Sequence, residues 1–339
     1  MEYLIAAKEL SNWVEKIIAH HKVIGIQAKA DKFDYDVLLD PAHLRLDFDV
    51  SLNPPKKYFL PACEALSRFE DYRFESISQA EPFVLLGIHP YDIVALSQLK
   101  RIFADKNPDK HFLERVEKAT LVAVDVENPS ANVFAGFLGY AHVEEGYDLL
   151  LTRLGDNYLA EAATDKGQAL VDLGKGLFSK ASKDEVEERQ SLWAFNERAL
   201  RRQELKIEPC LIGQLLEKAY ESSLWEEKAR LCFSCGSCNL VCPTCYCFDV
   251  TDKLDWNLTS GQRLRIWDGC MLEPFALVTG GHNFRKLKAD RYRHRYFRKG
   301  KYVPDKIGQL ACVGCGRCIT ACVAKIANPV EVFNAVREG

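Results

Sequence analysis

Two cysteine motifs carry most of the chemistry that this amino-acid sequence can support. Both have the spacing C-x2-C-x2-C-x3-C; the first runs from Cys232 to Cys242 and the second from Cys312 to Cys322. Thiolates at this spacing are typical ligands of [4Fe–4S] clusters. Only the first motif is followed by a proline, Pro243, but a proline at that place turns the chain and binds no iron. The two motifs therefore predict two [4Fe–4S] clusters.

The fourth cysteine of each motif is expected to bind the cluster of the other motif. A tight loop brings the first three thiolates to one cluster, whereas the fourth follows on a helix and points to the far side. The cysteines predicted to hold the first cluster are Cys232, Cys235, Cys238 and Cys322. Those predicted to hold the second cluster are Cys312, Cys315, Cys318 and Cys242. Gly236, Gly314 and Gly316 lie between the ligands, where a residue without a Cβ lets the backbone turn closely.

A structural zinc site is the alternative interpretation of these motifs, because C-x2-C pairs also bind zinc. Zinc needs four ligands for each ion and gives no reason for a fourth cysteine at a constant x3 spacing. Two copies of the same complete spacing therefore favour iron–sulfur clusters over zinc.

The insert between the motifs, residues 243–311, contains three further cysteines. Cys245 and Cys247 lie in CPTCYCFDV, and Cys270 lies in WDGC. These thiols can form an additional metal site, with Cys63, Cys210 or a group other than cysteine as the fourth ligand. They can equally be buried small apolar residues, which is a common role of free cysteine. The sequence leaves both interpretations open.

A basic tract, Arg285–Lys301, also lies in the insert. It contains nine Lys or Arg residues and one Asp, a net charge of +8 in a chain whose total is −3. Tyr292, Tyr296 and Phe297 alternate with the cations, a pattern that nucleic-acid-binding proteins show. Next to iron–sulfur clusters, cations favour the reduced state or attract an acidic partner. These two roles are the preferred interpretation, with a solvated face and nucleic-acid binding as alternatives.

The composition is that of a globular protein without a membrane span. The chain has 339 residues, of which 47% are hydrophobic and 27% charged, and its length suggests about two domains. No run approaches the roughly 18 apolar residues of a spanning helix, and residues 1–17 lack the order of a secretory signal. Eleven of the 13 cysteines lie between Cys232 and Cys322, which indicates metal binding rather than disulfides. We therefore expect a cytoplasmic protein.

The elements that must position these cysteines begin with a predicted α/β segment. Apolar residues at helical spacing from Leu4 to Ile17 predict that the chain opens with a helix. A further helix is predicted at 92–103, directly after the apolar run FVLLGI. The predicted strands are 23–27, 35–39, 44–48, 83–88, 120–126, 147–152 and 158–162, and the last two form a hairpin.

The sequence thus predicts an α+β protein of three parts. Residues 1–164 form an α/β scaffold that docks partners, and 165–229 form a helical linker with a long charged helix at Ser182–Leu205. Residues 230–339 form a bacterial-ferredoxin-like dicluster domain with the insert 243–311. No G-x-G-x-x-G or Walker A motif is present, so the sequence offers no nucleotide fingerprint and no catalytic residue.

Four segments resemble the iron–sulfur β subunit of cytoplasmic sulfhydrogenases and, equally, the iron–sulfur electron-transfer subunit of anaerobic sulfite reductase. They are FSCGSCNLVCPTCYCFDV at 233–250, IWDGC at 266–270, TGGHNFR at 279–285 and CVGCGRCI at 312–319. The resemblance implies an electron-transfer subunit that works with a flavoprotein subunit binding FAD and NAD(P)H. It also implies a catalytic or bifurcating partner of the hydrogenase, sulfite reductase or heterodisulfide-reductase type. The FAD is expected on the partner.

Upstream the sequence departs from this family. FVLLGIHPYDIVAL at 83–96 is similar to a family segment, but four positions where the family tends to carry cysteine hold other residues here. These positions are Tyr91, Val126, Val133 and Ala135, whereas Pro129, Phe134 and Gly139 are retained. If the family uses those cysteines for a further cluster, this protein lacks it. The cysteines at 245, 247 and 270 do match family positions, which favours a role for them near the clusters.

Two other functions remain as alternatives to an electron-transfer subunit. A self-contained iron–sulfur reductase would need a flavin or a special cluster at the additional thiols, and the missing nucleotide fingerprint argues against it. An iron–sulfur protein that binds nucleic acid would use Arg285–Lys301, and its affinity would depend strongly on salt.

Overall fold

The structure, a computed structural model, describes residues 1–71, 73–77 and 80–338. Within these ranges the strands form one sheet of eight and one of four. The strands are β1 (Glu2–Ala6), β2 (Val23–Lys29), β3 (Lys32–Val37), β4 (Cys63–Glu70), β5 (Arg73–Ser76), β6 (Phe83–Ile88), β7 (Ala119–Val124), β8 (Leu149–Leu154), β9 (Asn157–Ala162), β10 (Phe178–Lys180), β11 (Phe248–Leu254) and β12 (Ser260–Trp267). The helices are α1 (Leu10–His20), α2 (Pro90–Ala104), α3 (Lys110–Lys118), α4 (Asp165–Leu173), α5 (Lys183–Ala199), α6 (Ile212–Lys218), α7 (Leu224–Ala229), α8 (Ser237–Leu240), α9 (Lys288–Phe297), α10 (Val303–Ile307), α11 (Arg317–Ala321) and α12 (Pro329–Glu338).

The larger sheet has a parallel centre and antiparallel edges, in the order β10-β1-β9-β8-β7-β6-β2-β3. The strands β2, β6, β7 and β8 run parallel, and the strands outside them pair antiparallel. All six residues of β6 are buried, as expected for a parallel strand whose two faces are both covered. The mixed α and β architecture predicted from the sequence is therefore confirmed.

The carboxyl end of β6 leads to the second cysteine motif through the first turn of α2. β6 continues through His89 into α2, which starts with Pro90 and contains Asp92 in its first turn. Arg317, between two cysteines of the second motif, donates hydrogen bonds to both carboxylate oxygens of Asp92, at 2.7 and 2.6 Å. In α/β sheets functional sites form at this edge. The sheet thus positions the second motif.

Two sequence-based predictions of local structure are wrong. Residues 2–6 form a strand instead of the start of a helix, because β1 pairs with β9 on one side and β10 on the other. Helical spacing of apolar residues in one segment carries no information about such distant pairing. Residues 44–48 form no strand beyond an isolated bridge between Gln27 and Leu44. Leu46 and Phe48 are buried nevertheless, so their alternation satisfies the core without strand pairing.

The four-stranded sheet joins the insert to the N-terminal part, in the order β11-β12-β4-β5. β12 pairs antiparallel with β4, and Ile266 lies opposite Cys63. A buried ion-pair network fixes this junction. Glu64 of β4 accepts a hydrogen bond from Nε of Arg265 in β12 and forms an ion pair with Arg115 of α3, each at 2.7 Å. Two distant parts of the chain therefore share one sheet.

The three predicted parts of the chain are connected through both sheets. From 165–229 the strand β10 pairs with β1, and from the insert 243–311 the strand β12 pairs with β4. One hydrophobic core packs on the large sheet, and a second lies among the helices and cysteine loops of 205–336. The boundaries at 164 and 229 stay a prediction. Among the described residues we find no helix with the length and apolar character to span a membrane.

Candidate metal centre

The four cysteines predicted for the first cluster line one cavity, which we call cavity one. They are Cys232, Cys235, Cys238 and Cys322. Its other walls are largely apolar and include Met271, Tyr292 and Ile326. Cys235 is exposed, and so are the neighbouring Phe233 and Val323, at 70% and 76% of their surface. Cavity one is therefore close to the protein surface.

The four cysteines predicted for the second cluster line a separate cavity, cavity two. They are Cys242, Cys312, Cys315 and Cys318. Three of these thiols are buried, and Phe134, Tyr296 and Pro329 complete the wall. Each cavity encloses about 410 Å³ between its atoms, including space open to solvent. The structure thus places the fourth cysteine of each motif in the cavity of the other motif.

Two short helices produce this exchange. α8 carries Cys238 and α11 carries Cys318, and the two helices pack against each other. Cys242 and Cys322 follow their ends, so each side chain crosses to the neighbouring loop. Before each helix stands a glycine with positive φ, +72° at Gly236 and +77° at Gly316. The left-handed backbone needed there is readily available to glycine.

Gly314 is expected to be less replaceable than Gly236. Its φ is +68°, and a Cβ there would lie 2.5 Å from the backbone nitrogen of Ala135, which cannot move freely. At Gly236 the φ is similar, but the nearest atom to a Cβ belongs to the flexible side chain of Leu272. In both alanine variants the backbone conformation costs about 1–2 kcal/mol. We expect Gly314→Ala to lower the free energy of unfolding by at least about 2 kcal/mol more than Gly236→Ala, measured by anaerobic urea denaturation. Equal losses of unfolding free energy in the two variants would mean that the close approach to Ala135 does not destabilise the protein.

Burial makes the thiolate forms unfavourable before any metal is considered. It raises the pKa of Cys238 to about 11 and the pKa of Cys312 to about 12. A thiolate-ligated group in these cavities therefore needs nearby positive charge. Lys299 is such a charge: burial lowers its pKa, but Cys242 and Cys245 more than offset this effect, so the pKa is raised overall.

Arg295 supplies positive charge to both cavities. Its side chain lines cavity one and cavity two, and the residue is only 2% exposed. Two of its guanidinium nitrogens, Nε and Nη1, have no hydrogen-bond partner among the described residues. A buried unpaired cation is costly unless an anionic group lies beside it. The donor set and this cation therefore fit anionic iron–sulfur clusters.

The aromatic residues of the basic tract face the protein interior. Most of the tract lies in α9 and in the π-helical turn Arg298–Tyr302 that follows it. Tyr292, Tyr296 and Phe297 are at most 2% exposed. Tyr296 packs against Trp225. These rings are part of the second hydrophobic core and are not available to stack on bases. Packing of the rings in this core therefore explains the alternation of aromatic and basic residues that suggested nucleic-acid binding.

The cysteines of the insert line a third cavity. Cys245, Cys247 and Cys270 surround it together with Asn239, Arg298 and Lys299. Cys63 in β4 and Cys210 in a 3₁₀ turn are both exposed, and neither lines any of the three cavities. No three His, Cys, Asp or Glu side chains of the described residues converge closely enough for one metal ion.

The four positions that depart from the related family meet in space. One apolar cluster beside Cys315 contains all four of these residues: Tyr91, Val126, Val133 and Ala135. Tyr91 is 1% exposed. Its hydroxyl lies 2.6 Å from Nδ1 of His89. Apolar packing holds together positions that are far apart in the sequence.

Sequence reasoning missed three side chains that support the cysteine loops. Asn239 donates to the sulfur atoms of Cys245 and Cys270, and Lys56 donates to the backbone oxygen of Cys245 at 2.8 Å. Arg317 also binds Ser51. A signal existed for Arg317, because an arginine inside a cysteine motif needs a partner, but the sequence could not identify Asp92.

Comparison with known proteins identifies the cysteine-rich part of the chain and its family. Residues 231–326 match a family described as a 4Fe-4S dicluster domain, so the chain carries two [4Fe–4S] clusters. The chain is also 31% identical over 297 residues to sulfhydrogenase 2 subunit beta from Pyrococcus furiosus. The match covers 87% of this chain and 86% of that protein. The two clusters and the family resemblance predicted from the sequence are thus confirmed, and the chain belongs to the family of iron–sulfur β subunits of sulfhydrogenases.

Proposed function

We propose that the chain relays electrons between two partners in a cytoplasmic sulfhydrogenase-like complex. One partner is a flavoprotein subunit that binds FAD and NAD(P)H. The other is a catalytic or bifurcating subunit of the hydrogenase, sulfite reductase or heterodisulfide-reductase type. In this proposal cavity one and cavity two each hold one [4Fe–4S] cluster through the cysteines that line them. One residue lines both a cavity near the surface and a buried cavity, and this observation carries the proposal.

The residue that lines both cavities is Arg295. Because one side chain lines both cavities, a cluster held in cavity one would be close to a cluster held in cavity two. Electron transfer falls steeply with distance, so two adjacent clusters form a relay. Bound clusters supply one-electron oxidation and reduction, and the chain's own residues position them and adjust their potentials.

The surface around cavity one is suited to a protein partner. Leu231, Phe233 and Val323 are 56%, 70% and 76% exposed, and they flank cysteines of cavity one in the sequence. Exposed apolar side chains grouped in this way mark interaction surfaces. A partner docked here would exclude water from the exposed Cys235 and bring its own redox group close to the cluster.

A partly buried cation, Lys299, lies beside cavity two. Lys299 donates to Oγ1 of Thr244 at 2.6 Å, and that oxygen lies 3.3 Å from Sγ of Cys242. Nearby positive charge favours the reduced state of a cluster. The chain thus supplies the environment of an electron carrier, and the proposal leaves hydride chemistry to the flavoprotein.

Anaerobic purification followed by reduction tests this function. The full chain should contain at least about eight iron atoms and should be reduced by NAD(P)H only after the FAD-binding subunit is added. Zinc in place of iron would contradict the proposal. Reduction of the isolated chain by NAD(P)H would favour a self-contained reductase instead.

A further inference from the structure

A β-hairpin of the insert, β11 and β12, positions two of the three cysteines that line the third cavity. Cys247 immediately precedes β11 and Cys270 follows β12, and these strands pair along their length, with Phe248 opposite Trp267. The backbone nitrogen of Asp268 also donates to the carbonyl of Cys247 at 3.2 Å. The hairpin therefore brings together two thiols that are 23 positions apart in the sequence. Strand pairing fixes their separation before any ligand binds.

Asn239 directs N–H groups at two of the thiols. Its amide nitrogen lies 3.4 Å from Sγ of Cys270 and 3.7 Å from Sγ of Cys245, and the residue is 2% exposed. The amide oxygen accepts a hydrogen bond from the backbone nitrogen of Met271 at 3.2 Å, so the orientation of the amide is fixed. N–H donors to sulfur are a means by which proteins stabilise iron–sulfur clusters.

The charges around the cavity favour an anion as its occupant. Lys56 is 3% exposed and donates to the carbonyl of Cys245, while Arg295 and Lys299 line the cavity itself. None of the lining residues is a carboxylate, and the ion pairs found among the described residues involve none of these three cations. Buried cations without a counter-charge are destabilising. Thiols that only pack as apolar residues would leave this charge uncompensated.

We propose that Cys245, Cys247 and Cys270 hold a third iron–sulfur cluster through three thiolates. Thiolate-ligated clusters are anionic and accept N–H donors, which are the two properties that this cavity requires. The cavity encloses about 300 Å³ between its atoms, including space open to solvent, which is comparable to cavities one and two. Because Cys63 and Cys210 lie elsewhere, the protein supplies three cysteines, and the cluster has either three irons or a fourth iron without a cysteine ligand.

The third cluster would extend the relay. Arg295 lines all three cavities, and Thr244 and Lys299 line both cavity two and the third cavity. The inference concerns cofactor content and does not depend on the identity of the partners. It goes beyond the two clusters of the dicluster domain.

Iron and acid-labile sulfide per full chain, measured after anaerobic purification, test the proposal. The natural chain should contain about eleven to twelve irons, and the double variant Cys245→Ser/Cys247→Ser should fall to about eight. The matched control Cys63→Ser/Cys210→Ser removes two cysteines outside the cavities and should retain the full content. Electron paramagnetic resonance should show one signal fewer in the first variant alone, in the oxidised protein for a three-iron cluster and in the reduced protein for a four-iron cluster.

A content of about eight irons in the natural chain, unchanged in the Cys245→Ser/Cys247→Ser variant, would overturn the proposal. One additional ion of iron or zinc would overturn it as well, because a single ion is not a cluster. If the double variant is insoluble, the iron content of the natural chain still decides. Fewer than about eight irons in the natural chain would instead count against the two-cluster relay.

Discussion

Replacing Cys322 by serine is expected to remove the same cluster as replacing Cys235, although Cys322 belongs to the other motif. Both thiols line cavity one, whereas Cys315 lines cavity two. Each variant should lose about four irons, because a [4Fe–4S] cluster with an incomplete ligand set is expected to be lost. Iron analysis and electron paramagnetic resonance of anaerobically purified protein measure this loss and identify the missing cluster. The signals that remain in the Cys322→Ser and Cys235→Ser variants should coincide.

The reciprocal pair is Cys242 and Cys315, which line cavity two. Their serine variants should retain the cluster that the Cys235→Ser variant loses. Cys210→Ser is the control, because that thiol is exposed and outside the cavities. A Cys322→Ser variant whose remaining signals match those of Cys315→Ser would show that each motif binds a cluster by itself.

Replacing Asp92 by alanine is expected to lower the free energy of unfolding by about 3–5 kcal/mol. Arg317 is 3% exposed and Asp92 is fully buried, and the guanidinium is bound to both carboxylate oxygens. Without the carboxylate, the arginine remains buried, and Ser51 is the one hydrogen-bond partner left to it among the described residues. Because Arg317 lies between Cys315 and Cys318, the damage should reach the second cluster. Anaerobic urea denaturation and iron analysis of the same preparation measure both effects.

Glu81→Ala is the matched control, because it breaks an ion pair with Lys22 in which both side chains are more than half exposed. Its cost should stay below about 1 kcal/mol. The double variant Asp92→Leu/Arg317→Met should be more stable than Asp92→Ala alone, since it removes the uncompensated charge together with its partner. If the double variant is as unstable as the single one, packing rather than charge explains the loss.

The spacing of the cysteines was sufficient to predict the sets that line cavities one and two. Cysteines that are three or four positions apart are arranged by local backbone geometry. The constant x3 spacing places the fourth thiol away from the loop that carries the other three. The strand at Phe83–Ile88 was predictable for a similar reason, because a short, fully apolar run suits a strand buried on both faces. Whether Cys232–Cys242 and Cys312–Cys322 ligate the clusters as assigned stays a prediction.

The remaining contacts depend on long-range pairing that no local pattern encodes. Residues 2–6 have helical spacing but form a strand, because β9 and β10 provide hydrogen-bond partners. Lys56 and Cys245 are 189 positions apart, and Asp92 and Arg317 are 225 positions apart. Each of these partners is one of many charged or polar residues in the sequence. Tertiary structure selects among them.

The pairing of β4 with β12 has a consequence for the order in which the chain is made. Cys63 and Ile266 face each other across about 200 residues, so during synthesis β4 and β5 emerge long before their partner strand exists. A two-stranded hairpin is marginal in water, and its free edge can pair with another chain. Nascent protein should therefore aggregate most readily between the emergence of β5 and of β12. Slowing translation after β12 has emerged should lower the yield of soluble protein less than slowing it between β5 and β12.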